Sequence, residues 1–384
     1  MVSAAIQDRS SAAPQVDEQP AQGTTAGAVP FVRASDENLQ PGTLDRTTGV
    51  LTANSQDLGV TDIPAYGFIR WLYILVQATG GAAGLNNAVA KEDAPWSILR
   101  NISLTEPNGA PIVQVDDGFD LYLLTKFGGY LPAIAADPKN NPIFSAIASS
   151  GNFAFILRVP VEVSGRDGLG ALPNQDSAGQ FKLRMAVGAT TDIYSTAPDT
   201  KPVVRVRAWL SAWDQPQPNA AGLAQSVAPP AAGTTSFWSK QSGITVNNGN
   251  NTIELKRKGN YLRQIIFVLR NAGSRATAEG NWPAETRFMR DAFPARYYLD
   301  EVWKTIMFER TGFLSAGDTA GQRNNGIRFH DYAHEFDGEL GRENRDLWQP
   351  TRGSTRLEIV GSFGAATTLD ILYNDVAIAD NVFL

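Results

Sequence analysis

The chain has 384 residues and no cysteine, which excludes disulfide frameworks, thiolate metal sites and a cysteine nucleophile. Its formal net charge is -6 and its sequence pI is about 5.1, so a nonspecific grip on nucleic acid through a basic surface is not favoured. The length predicts two compact domains of ordinary size.

Residues 1–45 are dominated by Ala, Gln, Ser, Thr, Pro and Asp. A segment of this composition cannot bury enough apolar area to offset the entropy that is lost on ordering. We therefore expect residues 1–45 to form a flexible, disordered N-terminal arm rather than a domain.

Short apolar segments separated by Gly, Pro and Asn fill residues 46–214. The segment 67–79 is apolar on both alternating faces, as a strand covered on two sides would be. Alternation with a period of two residues, which is typical of strands, recurs in the segments 96–104, 153–163, 181–187 and 204–210. Residues 118–127 instead have apolar residues at helical spacing, so we predict a β domain with one short helix.

The segment 215–235 is rich in Pro, Ala, Gly and Gln and carries no charge, which is typical of a linker. Residues 236–384 then repeat the pattern of the first half. The corresponding pairs of segments are 259–270 with 67–76, 297–309 with 96–106, and 357–371 with 181–193. A second helix is predicted at 329–336. The wide separation of the paired segments indicates a duplicated domain.

Strands divided by Gly- and Pro-rich turns, with one short helix in each half, predict an all-β fold. The predicted architecture is two tandem eight-stranded jelly rolls, a double jelly roll, with short helices in loops and the disordered arm before them. The first jelly roll occupies 46–214, the linker 215–235 and the second jelly roll 236–384.

The order of these segments resembles the double jelly-roll major capsid proteins of tectiviruses and their relatives, the lineage that includes adenovirus hexon. The resemblance is carried by the strand at 67–79, by the segment 97–108 followed by the helix, and by the run 155–187. Within that run, the family's Val-Pro pair, Gly-Leu loop and Pro-containing turn correspond to Val159, Pro160, Gly168, Leu169 and Pro173. The resemblance extends from residue 48 to the C-terminus and departs from the family at 272–294, which we interpret as a long irregular insertion.

The resemblance implies a major capsid protein that forms pseudo-hexameric homotrimers, and these trimers would tile an icosahedral viral shell. The implied partners are neighbouring capsid trimers and minor capsid or vertex proteins, with an internal viral membrane as a further candidate beneath the arm. Sequence-specific nucleic acid is not an implied partner. The implied location is the virion capsid, assembled in the host cell cytoplasm, and no enzymatic activity or cofactor is implied.

Two other functions fit the same sequence. A two-domain jelly-roll enzyme or lectin that acts on glycans would be a monomer with an acidic, aromatic groove. A minor capsid or vertex protein of the same type of virus would be present in few copies per particle.

Two histidines, His330 and His334, have the spacing at which a helix presents both side chains on one face to a metal ion. A third ligand would come from Glu335, Glu339 or Glu358, and no spacing selects among them. We interpret the pair as part of a polar helix face and predict that it has no catalytic role.

Three further patterns are interpreted as structural. Gly80, Gly81 and Gly84 follow a strand, but no Lys-Ser/Thr pair follows them as in a phosphate-binding loop, so a turn is predicted. The acid pairs Asp116/Asp117 and Asp300/Glu301 are candidates for glycoside hydrolysis, but Asp116 and Asp117 lie where a helix begins and are expected to cap it.

A basic cluster and the tryptophans complete the candidates. The cluster Lys256, Arg257 and Lys258, with Lys240 and Arg263 nearby, is a candidate contact for nucleic acid or anionic lipid, and a solvated turn or a salt link is the alternative. The five tryptophans in or beside strands are expected in the core and at subunit interfaces: Trp71, Trp96, Trp209, Trp213 and Trp303. No residue is assigned as catalytic, cofactor-binding or metal-binding.

Overall fold

The structure of the chain is a computed structural model. The structure describes residues 29–128, 137–165, 167–216, 227–228, 234–276, 278–311, 325–332 and 345–377.

The first half of the chain forms an eight-stranded sandwich. Its strands are β1 (Glu37–Val50), β2 (Gln56–Asp62), β3 (Phe68–Thr79), β4 (Leu99–Thr105), β5 (Pro111–Asp117), β6 (Phe153–Pro160), β7 (Lys182–Val187) and β8 (Val203–Trp213). One sheet has the order β1-β8-β3-β6 and the other β2-β7-β4-β5, all antiparallel. The helix α1 (Gly118–Phe127) follows β5 directly.

The second half repeats this arrangement strand for strand. Its strands are β9 (Thr235–Val246), β10 (Gly249–Glu254), β11 (Tyr261–Asn271), β12 (Glu285–Arg290), β13 (Phe293–Leu299), β14 (Ile327–Asp331), β15 (Leu357–Phe363) and β16 (Thr367–Ala377). The sheets have the orders β9-β16-β11-β14 and β10-β15-β12-β13. The helix α2 (Asp300–Thr311) follows β13 directly. The prediction of two eight-stranded jelly rolls is therefore confirmed.

Short elements occupy the connections. Two- and three-residue strands lie at Val29–Pro30, Val89–Ala90, Leu172–Pro173, Tyr194–Thr196, Val227–Ala228, Ser274–Arg275 and Gln349–Pro350. Single helical turns lie at Phe31–Ala34, Trp96–Ile98, Pro138–Asn140, Thr190–Ile193, Glu279–Asn281 and Arg345–Leu347.

The two jelly rolls are joined by a strand pair. β5 of the first pairs in parallel with β9 of the second, with Val113 opposite Trp238 and Gln114 opposite Ser239. A sheet of one sandwich thus continues into a sheet of the other, and the buried apolar side chains of both form one cluster. This pairing fixes how the two domains lie against each other.

The burial of the central strands follows from their sequences. In β3 one face is fully buried and the other is mostly half-buried, so the alternation of the strand is retained. In β11 every residue from Leu262 to Arg270 is buried, because this strand lies inside the molecule on both faces.

The predicted boundary of the N-terminal arm is wrong. Residues 37–45, assigned to the arm, belong to β1 and pair with β8. Phe31 is also buried, with its ring against those of Phe68 and Trp213. Residues 1–28 lie outside the described part, as do most residues of the predicted linker at 215–235.

Two predicted elements of the second domain are also wrong. The segment 297–309 was predicted as a strand, but the strand ends at Leu299 and α2 follows. Asp300 and Glu301 lie in the first turn of that helix, and Trp303 and Met307, four residues apart, are both buried on one face. The helix predicted at 329–336 is instead a strand as far as residue 331, and residues 333–344 lie outside the described part.

The segment 272–294 is not an irregular insertion. It contains β12, which pairs with β13 on one side and β15 on the other and is therefore an interior strand of its sheet. With this correction β12, β13 and α2 correspond to β4, β5 and α1, so the duplication extends over all the strands and both helices.

Candidate functional site

His330 lies in a buried aromatic cluster. Its imidazole centroid is 4.6 Å from that of Phe288 and 4.3 Å from that of Tyr332. Burial lowers the pKa of His330 to about 3, so the ring is neutral at physiological pH. The prediction that a helix presents His330 and His334 on one face is wrong, because His330 lies in the strand β14. His334, with Glu335 and Glu339, lies outside the described residues, and Glu358 pairs with Arg356 at 2.7 Å.

One of the two acids before α1 caps the helix. The Asp117 carboxylate accepts a hydrogen bond from the Asp120 backbone N–H at 3.0 Å, and the Asp120 carboxylate accepts one from the Asp117 N–H at 3.3 Å. Capping is therefore confirmed for Asp117 and wrong for Asp116. The Asp116 carboxylate instead accepts a hydrogen bond from the Ser242 hydroxyl at 2.6 Å, across the junction between the domains.

Asp300 of the second acid pair is engaged in an ion pair. Arg328, whose side chain is fully buried, donates to both carboxylate oxygens of Asp300 at 2.7 and 2.9 Å. Although burial acts in the opposite direction, the hydrogen bond and charge of Arg328 lower the pKa of Asp300. A carboxylate held in this way is not available as the acid of a glycosidase.

The basic cluster at 256–258 is largely engaged within the chain. Arg257 donates two hydrogen bonds of 2.8 Å to Asp375, and Lys258 donates to Glu254 at 2.8 Å. The side chain of Lys240 is 4% exposed and Arg263 is 2% exposed. Lys240 and Arg263 therefore contribute no charge to the surface, and the nucleic-acid or lipid contact loses two of its five members.

The glycines after β3 form a turn that side chains hold in place. The Gly81 N–H donates to Asn152 at 2.9 Å, and the Asp199 carboxylate accepts from the Asn86 backbone N–H at 3.2 Å.

Among the tryptophans, Trp96, Trp213 and Trp303 are buried and Trp71 is half-buried, while Trp209 is 41% exposed. Core packing is thus confirmed for the first three.

Charged side chains meet at the junction between the jelly rolls. Lys240 of β9 lies 2.9 Å from Asp120 of α1, 3.1 Å from Asp116 and 3.3 Å from Asp370 of β16. The side chains of Asp120 and Asp370 are 0% and 7% exposed. A buried lysine from the second domain is therefore surrounded by carboxylates from both.

A second group of ion pairs continues this cluster. Arg270 donates to Asp370 and to Asp93, both at 2.7 Å, and Arg275 donates to Asp93 at 3.1 Å. Asp93 belongs to the first domain and both arginines to the second. Asp93, Arg270 and Arg275 line a polar cavity of about 210 Å³ between the domains, which Arg100 and Asp192 also line. We call Asp93, Asp116, Asp120, Lys240, Arg270, Arg275 and Asp370 the junction cluster.

Electrostatics at the junction follow from burial and charge. Burial alone would lower the pKa of Lys240, but the carboxylates of Asp120, Asp117 and Asp370 outweigh it and raise that pKa above its usual value. Burial, and then the neighbouring carboxylate of Asp117, raise the pKa of Asp120 to about 7. Lys240 is therefore held as a cation. A structural ion cluster requires this charge, whereas a lysine that acts as a catalytic base must lose its proton.

The junction cluster was not predicted from the sequence. Lys240 was a candidate only as a neighbour of the basic segment, and Asp93, Arg270 and Arg275 were not candidates. A signal was present, because Lys240 and Arg270 are charges inside segments that otherwise read as strands, and a charge there requires a buried partner.

Exposed apolar side chains gather on β13 and α2. The exposed fractions are 75% for Phe293, 49% for Tyr297 and 45% for Leu299 on β13, and 49% for both Val302 and Phe308 on α2. We call these five residues the β13–α2 surface. Neighbouring exposed apolar residues of this kind mark interaction sites.

Within the ranges that the structure describes, no three side chains of His, Asp or Glu are grouped as metal ligands. Over the same ranges, no helix has the length and apolar content that crossing a bilayer requires.

No protein-family model matches the sequence, and no curated protein matches it. Solved structures do match. The major capsid protein of Sulfolobus turreted icosahedral virus has a TM-score of 0.59 at 11% identity, over 89% of this chain and 97% of that one. The chain has the double jelly-roll fold of viral major capsid proteins.

Two other double jelly-roll proteins are similar over the same extent. The major capsid protein P2 of bacteriophage PM2 has a TM-score of 0.53 at 9% identity, over 90% of this chain and 99% of that one. VP54 of PBCV-1 has a TM-score of 0.59 at 10% identity, over 89% and 93%. The resemblance inferred from the sequence is thus confirmed in the fold, and the similarity includes both jelly rolls rather than one.

Proposed function

We propose that this chain is the major capsid protein of an icosahedral virus and forms pseudo-hexameric homotrimers that tile the shell. Its place would be the virion capsid, and its role structural rather than enzymatic. The observation that carries the proposal is the similarity to major capsid proteins over about nine tenths of this chain and nearly all of theirs.

The internal construction supports the same function. Two similar jelly rolls lie side by side, joined by the β5–β9 pair and the junction cluster. A chain with two similar domains forms a ring of six such domains when three copies close into a cycle, and closed cyclic symmetry is the usual form of homo-oligomers. In the shell, the partners of each trimer would be neighbouring trimers and minor capsid or vertex proteins, and an internal membrane would lie on the side of the N-terminal arm.

The charged groups argue against the glycan-active alternative. The candidate acids Asp117 and Asp300 are engaged in a helix cap and in an ion pair with Arg328, and three of the five candidate tryptophans are buried. Within the described residues, neither candidate pair therefore has both carboxylates free to act across an open groove.

Light scattering on the purified full-length protein tests the proposal. We expect a particle of three times 41.4 kDa at micromolar concentration, and shells visible by electron microscopy when the protein is concentrated with its virion components. A monomer at every concentration that binds oligosaccharides would contradict the proposal and favour the glycan-binding alternative. A trimer present in only a few copies per purified virion would indicate a minor capsid protein.

A further inference from the structure

The strand and helix that meet the domain junction have a counterpart in the second jelly roll. In the first, β5 ends at Asp117 and α1 begins at the next residue; in the second, β13 ends at Leu299 and α2 begins at the next residue. When these two boundaries are matched, Asp120 corresponds to Val302 and Lys126 to Phe308.

In the first jelly roll this surface is covered. β5 pairs with β9 of the second jelly roll, and every residue of α1 from Gly118 to Phe127 is buried. Asp120 makes its ion pair with Lys240 of β9 there, and the ring of Phe127 stacks on that of Phe329 at 5.3 Å.

In the second jelly roll the same surface is open. β13 has β12 as its strand neighbour and, within the described residues, no strand on its other edge. Val302 and Phe308, which correspond to the buried Asp120 and Lys126, are half exposed. An edge strand with exposed apolar residues is a site for pairing with another chain.

The element that should cover this surface is identified by the duplication. β9, which covers β5, is the first strand of its jelly roll and lies beside β16. The corresponding strand of the first jelly roll is β1, which lies beside β8. Its other edge pairs with no strand in the described part of the chain, and it exposes Leu39 by 55% and Val50 by 53%.

We propose that the β13–α2 surface binds the β1 edge of a second copy of this chain, in parallel. The contact repeats between subunits the arrangement that β5 and α1 make with β9 inside one chain. The inference rests on the proposed trimer and specifies its interface. Each subunit offers one such surface and one such edge, so the contact is heterologous and closes into a ring when three copies join.

The side chains suit association between separate molecules. The junction within the chain buries the ion pair of Asp120 with Lys240, whereas the residue that corresponds to Asp120 on α2 is Val302, and the same helix also exposes Phe308. Apolar and aromatic residues are the ones enriched at the centres of protein interfaces. The contact between subunits is therefore apolar where the contact within the chain is ionic.

Charge substitutions test the surface. In the full-length protein, Val302→Asp and Phe308→Asp place a carboxylate in the proposed interface, and we expect loss of the trimer mass in light scattering with an unchanged far-ultraviolet circular dichroism spectrum. Val60→Asp is the matched control, because Val60 is 60% exposed on β2, outside the proposed contact, and should leave the trimer intact.

Cross-linking through introduced cysteines tests whether β1 of a second copy is the partner. Because the chain has no native cysteine, only the introduced cysteines can react. Ala295→Cys on β13 is combined with Leu39→Cys or Gln40→Cys on β1, since the duplicated register places this part of β1 beside Ala295. A short bismaleimide should convert at least one double variant into covalent trimers on a denaturing gel. Ala295→Cys with Val60→Cys is the control and should remain monomeric on the gel.

The outcomes separate the two proposals. A wild-type trimer that keeps its mass in both Asp variants and gives no cross-link would overturn this interface while leaving the capsid function in place. A wild-type monomer that forms no shells would overturn both.

Discussion

Replacing Lys240 with Met tests whether the junction cluster stabilises the association of the two jelly rolls. Met has an unbranched chain of similar length and fills most of the same space without the charge. The ammonium of Lys240 lies 2.9 Å from Asp120 and 3.3 Å from Asp370, so the substitution leaves these carboxylates in a buried site without their common cation.

The expected loss of stability depends on the partners that each carboxylate retains in Lys240→Met. Asp370 retains Arg270 at 2.7 Å, and Asp116 is half exposed and retains Ser242, so the uncompensated charge is chiefly that of Asp120. Removing one member of a buried ion pair costs about 3–5 kcal/mol. Because only one carboxylate loses its main partner, we expect the lower end, about 3 kcal/mol, which is a large part of the stability of an ordinary domain.

Urea unfolding of wild type and variant at one protein concentration measures this loss, since association contributes to apparent stability. Arg205→Met is the matched control: the Arg205–Asp45 pair has a distance of 2.6 Å but is about half exposed, so its loss should be close to the experimental error. Adding Asp120→Asn to Lys240→Met removes the unpaired charge and should restore much of the stability.

The pH dependence adds a second criterion. Without Lys240, the pKa of Asp120 should rise further above about 7, so protonation near pH 5 should relieve the defect. The deficit of Lys240→Met relative to wild type should therefore be smaller at about pH 5 than at about pH 8. A deficit no larger than that of Arg205→Met, or one that does not change with pH, would show that the cluster does not act through buried charge.

Three other outcomes are expected. Because the pKa of His330 is lowered to about 3, the unfolded chain binds a proton below pH 6.5 that the folded chain does not. Stability contributed by neutral His330 should therefore be lost as pH falls from 6.5 towards 3, by about 2 kcal/mol at about pH 5, and urea unfolding of His330→Phe should lack this part of the loss. Asp117→Ala should lower the free energy of unfolding by about 1 kcal/mol through loss of the helix cap, and Asp117→Asn should retain most of it. Deleting residues 2–28 should leave the melting temperature of the trimer unchanged and impair particle assembly, whereas deleting residues 2–45 removes most of β1 and should prevent folding; equal melting temperatures for both deletions would contradict this.

The alternation of apolar and polar residues was sufficient to predict the fold class. It failed to identify individual elements in which both faces are apolar or buried. In β14 all five residues from Ile327 to Asp331 are buried, so no alternation separates a strand from a helix, and the spacing of Phe329 and Tyr332 was interpreted as helical. In α2 the buried residues Trp303 and Met307 have helical spacing, but Val302 and Phe308 are apolar as well. Apolar residues on two sides of a helix weaken its pattern, and in the proposed trimer the second side would lie against another subunit.

The strand β1 was missed for the opposite reason, because it has too few apolar residues. Its sequence from Glu37 to Asp45 is mostly polar, and from Glu37 to Val50 only Leu44 is buried, so its composition is that of an arm. An edge strand that lies against a single neighbour needs few apolar residues. The partners within the junction cluster could not be predicted for another reason: Lys240 and Asp120 are 120 positions apart, and no local pattern connects them.

The difference between the two kinds of junction follows from how each contact forms. The contact between β5 and β9 joins two parts of one chain, so it does not have to overcome the loss of free translation and rotation that separate molecules undergo on binding. A buried ionic cluster contributes little net affinity, because desolvation offsets much of its Coulomb energy, but a wrongly placed charge is costly and this favours one arrangement of the domains. We infer that the cluster sets orientation within the chain. Contact between subunits must first offset the entropy of association, which apolar burial does more effectively. An ionic junction inside the chain and an apolar β13–α2 surface outside it are therefore what a duplicated sandwich needs in order to fold as a monomer and then close into a ring.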